Sequence, residues 1–375
     1  MPIQPRVLIT LHGDFQFDPG TRTKHELLLQ SLAENVSIVN IHNAELRGLP
    51  RAWTALLSFH PRISEWKNRF YLNASAFQLR SRREARHLNQ FAGQADVVLQ
   101  IGTLYSVSQC ALPVVMYLDY TAQLSIQKEE TGHAFRVPPR AERWLALEQE
   151  AYQQAAHICV RSRLVQTSLI EHYGLPAERI SVVGGGVNFS PLPTLPDLTQ
   201  QPGGEDARLL FIGKDFYRKG GDLLLQAFEQ LRADFPRARL TLITDLPQQV
   251  NLPPGVLHQP STWDRAAIAA AYASASIFVL PSRLETWGDV LLEAMSFALP
   301  CVGTQSDAMQ DIIIDHHTGL LVPPFDPNAL ASALRALLSD PQTSRQYGLN
   351  GRQRIESTLN WPHVAQELAK VLVCS

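Results

Sequence analysis

Pro281-Ser282-Arg283-Leu284-Glu285-Thr286-Trp287-Gly288-Asp289-Val290-Leu291-Leu292-Glu293-Ala294-Met295 reads as the end of a strand followed by the start of a helix. The apolar run Ile277-Phe278-Val279-Leu280 before it has the length and composition of a buried strand, and Pro281 stops it. Gly288 then opens a helical pattern whose apolar positions include Val290, Leu291, Ala294 and Met295. Glu285 is thereby placed in the strand-to-helix loop, and Glu293 about one and a half turns inside the helix. Backbone N–H groups from Trp287 to Val290 lack helical partners and stand at the positive end of the helix dipole. Such a crevice suits a ligand with a diphosphate at its centre and hydroxylated rings on either side.

The alternation continues in both directions from this block. Upstream, strand patterns cover residues 7–10, 36–41, 96–102, 114–118, 157–160 and 180–183, with helical patterns at 23–33, 76–91, 141–155 and 164–173. Around the block, strands at 208–212, 239–244, 276–280, 301–303 and 320–322 alternate with helices at 220–235, 263–274, from 288 and from 307. Strands separated by helices imply parallel sheets covered on both faces. Between the two series lie Pro191-Leu192-Pro193-Thr194-Leu195-Pro196 and Gln201-Pro202-Gly203-Gly204, a proline- and glycine-rich linker. The expected fold class is α/β, with two Rossmann-like domains facing a central cleft. The expected division is 1–190, a linker at 191–206, 207–357, and a C-terminal helix at 358–375.

A chain of 375 residues accommodates two domains of ordinary size, and 45 % hydrophobic with 18 % charged residues describes a globular protein. A net charge of −2 disfavours nucleic acid as an obligatory partner. Cys110, Cys159, Cys301 and Cys374 form no Cys-x-x-Cys pair, so neither a zinc site nor a disulfide framework is expected. The strand pattern at Val7 leaves no room for a signal peptide, and no apolar run approaches the ~20 residues that span a bilayer. The expected compartment is the cytoplasm.

Charge is concentrated in one place. Arg47, Arg51, Arg62, Lys67, Arg69, Arg80, Arg82, Arg83 and Arg86 face only Glu65 and Glu84, with Trp53, Phe59, Trp66, Phe70 and Tyr71 interleaved. One reading is a solvated helical surface whose aromatic residues anchor it to the core. The other is a surface for anionic lipid or an acidic acceptor, at the inner face of a membrane.

These motifs resemble glycosyltransferase family 4, whose members have the GT-B fold. Pro281-Ser282 through Glu293-Ala294-Met295 is similar to the family's Pro-Ser … Glu-(seven residues)-Glu-Ala-Met block, and Lys219-Gly220 to its Lys-Gly element. Thr318-Gly319-Leu320-Leu321-Val322 with Asp326 resembles the segment closing the donor domain. Glu148, the run Ala156 to Ser162, and Ile180 to Asn188 resemble the end of the acceptor domain. The resemblance runs from about Glu148 to Trp361 and fades before Pro113. It implies transfer of a sugar from a nucleotide-diphosphate donor of UDP, GDP or ADP type, with retention at the anomeric carbon. The acceptor it implies is a hydroxyl on a glycan, lipid-linked sugar or small molecule. No metal or other cofactor is implied, and the chain carries no Asp-x-Asp pair.

Breaking the bond between the anomeric carbon and the diphosphate leaves positive charge on the ring and negative charge on the phosphate. Lys214, Arg218 and Lys219 follow a strand and precede a helix, where cations and the Gly220 and Gly221 amides can neutralise that phosphate. By resemblance Glu293 accepts the ribose hydroxyls and Glu285 touches the transferred sugar. Backbone amides of Thr286, Trp287, Gly288, Asp289 and Val290 add contacts, and the Thr244-Asp245 loop lies where the base is held. Ser306-Asp307-Ala308-Met309 departs from the family's glycine-rich segment. Asp119 stands where many relatives place a histidine; it can accept a hydroxyl or a proton, or serve as a helix N-cap. His12 ends the first strand, and Gly13 permits a close backbone approach to the ligand.

Rival classes lack their motifs. No Gly-x-Gly-x-x-Gly joins a strand to a helix, and neither a Walker sequence nor a Gly-x-Ser-x-Gly elbow occurs. A nucleotide-sugar epimerase, a phosphorylase, or a non-catalytic sugar-nucleotide binder remain as alternatives on the same fold.

Overall fold

The computed structural model describes residues 4–13, 18–129, 141–195 and 206–374; residues 196–205 of the expected linker lie outside these. The chain divides into two units, 1–184 with 361–375 and 185–360.

The first unit contains β1 (Arg6–Leu11), α1 (Pro19–Ala33), β2 (Ser37–Asn43), α2 (Gly48–Leu57), α3 (Ile63–Tyr71), α4 (Ala74–Leu88), β3 (Val97–Ile101) and β4 (Val114–Leu118). It continues with α5 (Ala122–Glu129), α6 (Ala141–Gln154), β5 (His157–Val160), α7 (Arg163–Glu171) and β6 (Ile180–Val182). The second unit holds β7 (Arg208–Asp215), α8 (Gly221–Leu231), β8 (Arg239–Asp245), β9 (Val256–Gln259), α9 (Arg265–Ser274), β10 (Ile277–Leu280) and α10 (Asp289–Ser296). It ends with β11 (Cys301–Thr304), α11 (Met309–Ile312), β12 (Gly319–Val322), α12 (Pro327–Ser339) and α13 (Pro341–Ser357); α14 (Trp361–Cys374) belongs to the first unit.

Each unit is built on one six-stranded parallel sheet, ordered β2-β1-β3-β4-β5-β6 and β12-β11-β10-β7-β8-β9. Side chains alternate across the first sheet and feed two cores. Val7, Ile9, Leu11, Val97 and Leu99 pack with α1 and α14 on one face. Leu8, Val98, Met116, Ile158 and Val160 pack with residues of α6 and α7 on the other. Burial on both faces is why these strands read as continuous apolar runs. Helix α14 lays Trp361, Val364, Ala365, Leu368 and Leu372 against the sheet, one stripe at helical spacing.

Helix starts are written in the sequence. Asp18-Pro19, Asp326-Pro327 and Asp340-Pro341 each put an aspartate at the cap, where its side chain accepts from first-turn amides, and a proline where no N–H is needed. The basic segment forms α2, α3 and α4, but not as a uniform solvated surface. Arg80 and Glu84 are buried, whereas Trp53 and Phe59, read as possible core anchors, are exposed. No helix among the described residues is long and apolar enough to cross a membrane.

Candidate active site

In the second sheet the strand order reverses at β7, with β8 on one side and β10 on the other. Loops leaving the carboxyl ends of β7 and β10 face a topological switch point, where open parallel sheets bind ligands. The two loops are locked together. Gly220 has φ +77°, and a Cβ there would lie 2.0 Å from the Pro281 carbonyl oxygen, so only glycine fits. The Arg283 amide donates to the Arg218 carbonyl at 2.9 Å, and Arg218 Nη1 donates to the Leu284 carbonyl at 3.1 Å. Arg283 also forms a bidentate pair with Asp222 at 2.6 and 2.7 Å.

At the centre, Lys219 Nζ pairs with Glu285 Oε2, and only 12 % and 6 % of these side chains are exposed. Ser282 Oγ donates to the same carboxylate oxygen at 3.3 Å. The Glu285 amide donates to Asp307 Oδ2 at 2.9 Å. Asp307 itself has φ +52°, a conformation that aspartate tolerates better than most residues. A Cβ on Gly213 would stand 2.8 Å from Lys219 Cγ, so the bare backbone there gives the lysine its path. Burial pushes the Lys219 pKa down, and attraction to Glu285 opposes that shift.

Glu293 sits in the second turn of α10 and is also buried. Its Oε1 pairs with Arg265 Nη1 at 2.9 Å, and its Oε2 accepts from the Tyr272 hydroxyl at 3.2 Å. Arg265 donates in turn to the Asn188 carbonyl at 2.9 Å and lies 4.1 Å from the Phe189 ring centre. Burial pushes the Glu293 carboxyl up to about 7, against the pull of Arg265. Each carboxylate oxygen keeps acceptor capacity beyond the one bond described.

This arrangement can meet a diphosphate with cations and a diol with a carboxylate. The family profile described as "Glycosyl transferases group 1" matches residues 199–354. Over 279 residues the chain is 26 % identical to a glycogen synthase of Mycobacterium tuberculosis, covering 72 % of this chain and 67 % of that one. WaaG, a glycosyltransferase involved in lipopolysaccharide biosynthesis, has a similar fold, with TM-score 0.67 at 17 % identity over 98 % of this chain and 100 % of that one. Anabaena HepE, solved in complex with UDP-glucose, has TM-score 0.65 at 15 % identity, with the chains covered to 98 % and 100 %. The fold is GT-B, and these likenesses support a glycosyltransferase of the family 4 type. Its reaction is nucleotide-sugar-dependent glycosyl transfer, and these likenesses do not favour the epimerase, phosphorylase or non-catalytic alternatives.

Several expected site residues of the glycosyltransferase stand differently from their sequence reading. Lys214 is not in a loop; it lies in exposed backbone at the end of β7, where register with β8 shifts. Arg218, expected to meet the phosphate, bonds the Pro-Ser loop and pairs with Asp215 at 3.5 Å. The Gly220 and Gly221 amides are not open to a phosphate, because they donate to the Tyr217 and Phe216 carbonyls at 3.0 and 2.8 Å. The Trp287 side chain belongs to the core, and its Nε1 has no hydrogen-bond partner among the described residues. Gly288 has φ +97° at the cap of α10, next to half-buried Thr286, Asp289 and Val290. Thr244 is fully buried with its carbonyl accepting from His258 Nε2 at 3.0 Å, while exposed Asp245 accepts from Ser261.

In the first unit of the glycosyltransferase, the β1 loop also stands at a switch point, between β1 and β3. His12 Nε2 lies 3.4 Å from Glu45 Oε2, and the His12 ring meets Tyr71 edge-on at 5.4 Å. Gly13 is explained without a ligand: φ is +116°, and a Cβ would come 2.6 Å from Thr21 Oγ1. Asp119 is exposed and is not the cap of α5; the Thr121 hydroxyl accepts from the Leu124 amide at 3.4 Å. Sequence reading missed Ser282, Arg265 and Tyr272 as supports of the two glutamates. Ser282 carried a signal, three residues before Glu285, whereas the other two reach Glu293 from a separate helix.

Proposed function

We propose that the donor is a UDP-sugar held by the second unit, and that its sugar passes to an acceptor hydroxyl with retention at the anomeric carbon. The observation that carries this reading is the meeting of Lys219, Glu285 and Ser282 at the β7/β10 switch point. Of the three ammonium donors of Lys219, one is directed at Glu285 and the others serve the diphosphate. As the bond to the anomeric carbon lengthens, Lys219 and Arg218 stabilise charge on the departing phosphate, and this needs no divalent ion. Glu285, held by Ser282 and Asp307, steadies positive charge on the sugar ring. Glu293 accepts the ribose diol, and the carboxyl end of β8 at Thr244-Asp245 meets the base. HepE, solved with UDP-glucose, supports uracil over guanine or adenine.

The first unit receives the acceptor. Asp119, with the cap role taken by Thr121, accepts a sugar hydroxyl or the acceptor's proton, and His12 is a polar contact. The basic segment 47–86 brings the enzyme to an anionic membrane surface, without the buried Arg80.

A thermal-shift panel of UDP-, GDP- and ADP-sugars tests the donor. A UDP-sugar at a hundred times its Kd stabilises the protein by about 2.7 kcal/mol. A shift with GDP- or ADP-sugars and none with UDP-sugars refutes the assignment.

A further inference from the structure

Helix α2 is built inside out. Leu49, Trp53, Leu56 and Leu57 recur at i, i+4, i+7 and i+8, the spacing of one apolar helix face. That face is turned to solvent, and Thr54 is the residue the helix buries. Phe59 in the following turn and Ile63 at the start of α3 extend it, and these six side chains are between 62 and 85 % exposed. The exposure is not fraying, because the hairpin is braced. Trp66 Nε1 donates to the Ala55 carbonyl at 2.9 Å, and the Phe59 and Trp66 rings meet edge-on at 5.7 Å. Arg51 pairs with Glu45 at 2.8 Å, and Tyr71 at the end of α3 packs on His12. An apolar face held out in this way marks an interaction surface.

Charge selects the partner. Between residues 47 and 71 the exposed ionic side chains are Arg47, Arg51, Arg62, Lys67 and Arg69, against the single acid Glu65. An apolar stripe flanked by cations, with an indole and a phenyl ring within it, fits the boundary between anionic headgroups and acyl chains. We infer that the α2–α3 hairpin docks the enzyme on an anionic lipid bilayer by inserting Leu49, Trp53, Leu56, Leu57, Phe59 and Ile63 into that boundary. This deepens, and rests on, the membrane contact proposed above: charge attracts, and the hairpin enters.

The test is flotation of the full chain with vesicles of phosphatidylcholine alone and of phosphatidylcholine with phosphatidylglycerol. Each cation near an anionic surface strengthens binding about fivefold, so the mixed vesicles bind at least tenfold better. The double variant Trp53→Glu/Leu56→Glu loses about a hundredfold in vesicle binding, while its melting temperature and its shift with UDP-glucose stay those of the parent. If the variant still binds anionic vesicles and is released by salt alone, insertion is wrong and an electrostatic contact stands. If the parent binds neither vesicle, both readings fall, whatever the nucleotide result. A dimer in sedimentation velocity that the same substitutions abolish makes this face a contact between copies and overturns the inference.

Discussion

Donor affinity should fall as the pH drops below 7, because a carboxylate, not a carboxylic acid, accepts both hydroxyls of a ribose diol. Glu293 is pushed up to about 7 by burial, with Asp289 adding to the rise and Arg265 and Tyr272 of α9 opposing it. A group with that pKa is ionised in about 90 % of molecules at pH 8 and about 3 % at pH 5.5. If only the ionised form takes the diol, the Kd rises about thirtyfold between those two values, or about 2 kcal/mol. The assay is calorimetric titration with UDP-glucose; UDP is unsuitable because its terminal phosphate titrates near pH 6. Folding linkage has the opposite sign. A carboxyl raised from 4.5 contributes stability that is full below 4.5 and lost as the pH rises through about 7, so the free enzyme loosens where donor binding tightens. Glu293→Gln should bind weakly with a flat profile. A parent Kd that varies less than about threefold over this range, or an unchanged slope in Glu293→Gln, refutes the reasoning.

Lys219→Met strands Glu285 in a buried site and should cost about 3 kcal/mol in urea unfolding; adding Glu285→Gln should restore most of that stability but not turnover, and recovery of both would reduce the pair to a structural role. Asp307→Ala leaves the Glu285 amide unsatisfied and should cost about 1–3 kcal/mol in stability, with a drop in kcat larger than the change in donor KM; an unchanged kcat contradicts its part in holding Glu285. Excess EDTA should leave the UDP-glucose Kd unaltered if, as proposed, lysine and arginine carry the diphosphate; loss of binding that magnesium restores would overturn this.

The parallel strands were legible because both their faces are buried, which removes polar interruptions from the run. Strand β9 escaped for the converse reason: Val256-Leu257-His258-Gln259 alternates between half-buried and exposed at the sheet edge. The Lys219-Gly220 pattern suggested amides free for a phosphate. That the neighbour of Gly220 is Pro281, and that the Gly220 and Gly221 amides are already taken, follows from a turn over Phe216 and Tyr217 that has no sequence signature. The pairing of Lys219 with Glu285 was not read, because it depends on β7 and β10 being neighbours in the sheet, and the sequence pattern gives no strand order. Arg265 and Tyr272 were not readable, because contact between α9 and Glu293 depends on packing between separate elements. The outward stripe of α2 shows the limit of periodicity: the pattern gives a face but not the direction in which it points.

The most direct measurement is a crystal structure of the enzyme with UDP bound. The ribose hydroxyls should lie about 3 Å from the Glu293 carboxylate, with the diphosphate against Lys219, beside the loops after β7 and β10. A nucleotide seated elsewhere, with Glu293 still engaged only by Arg265 and Tyr272, contradicts this placement.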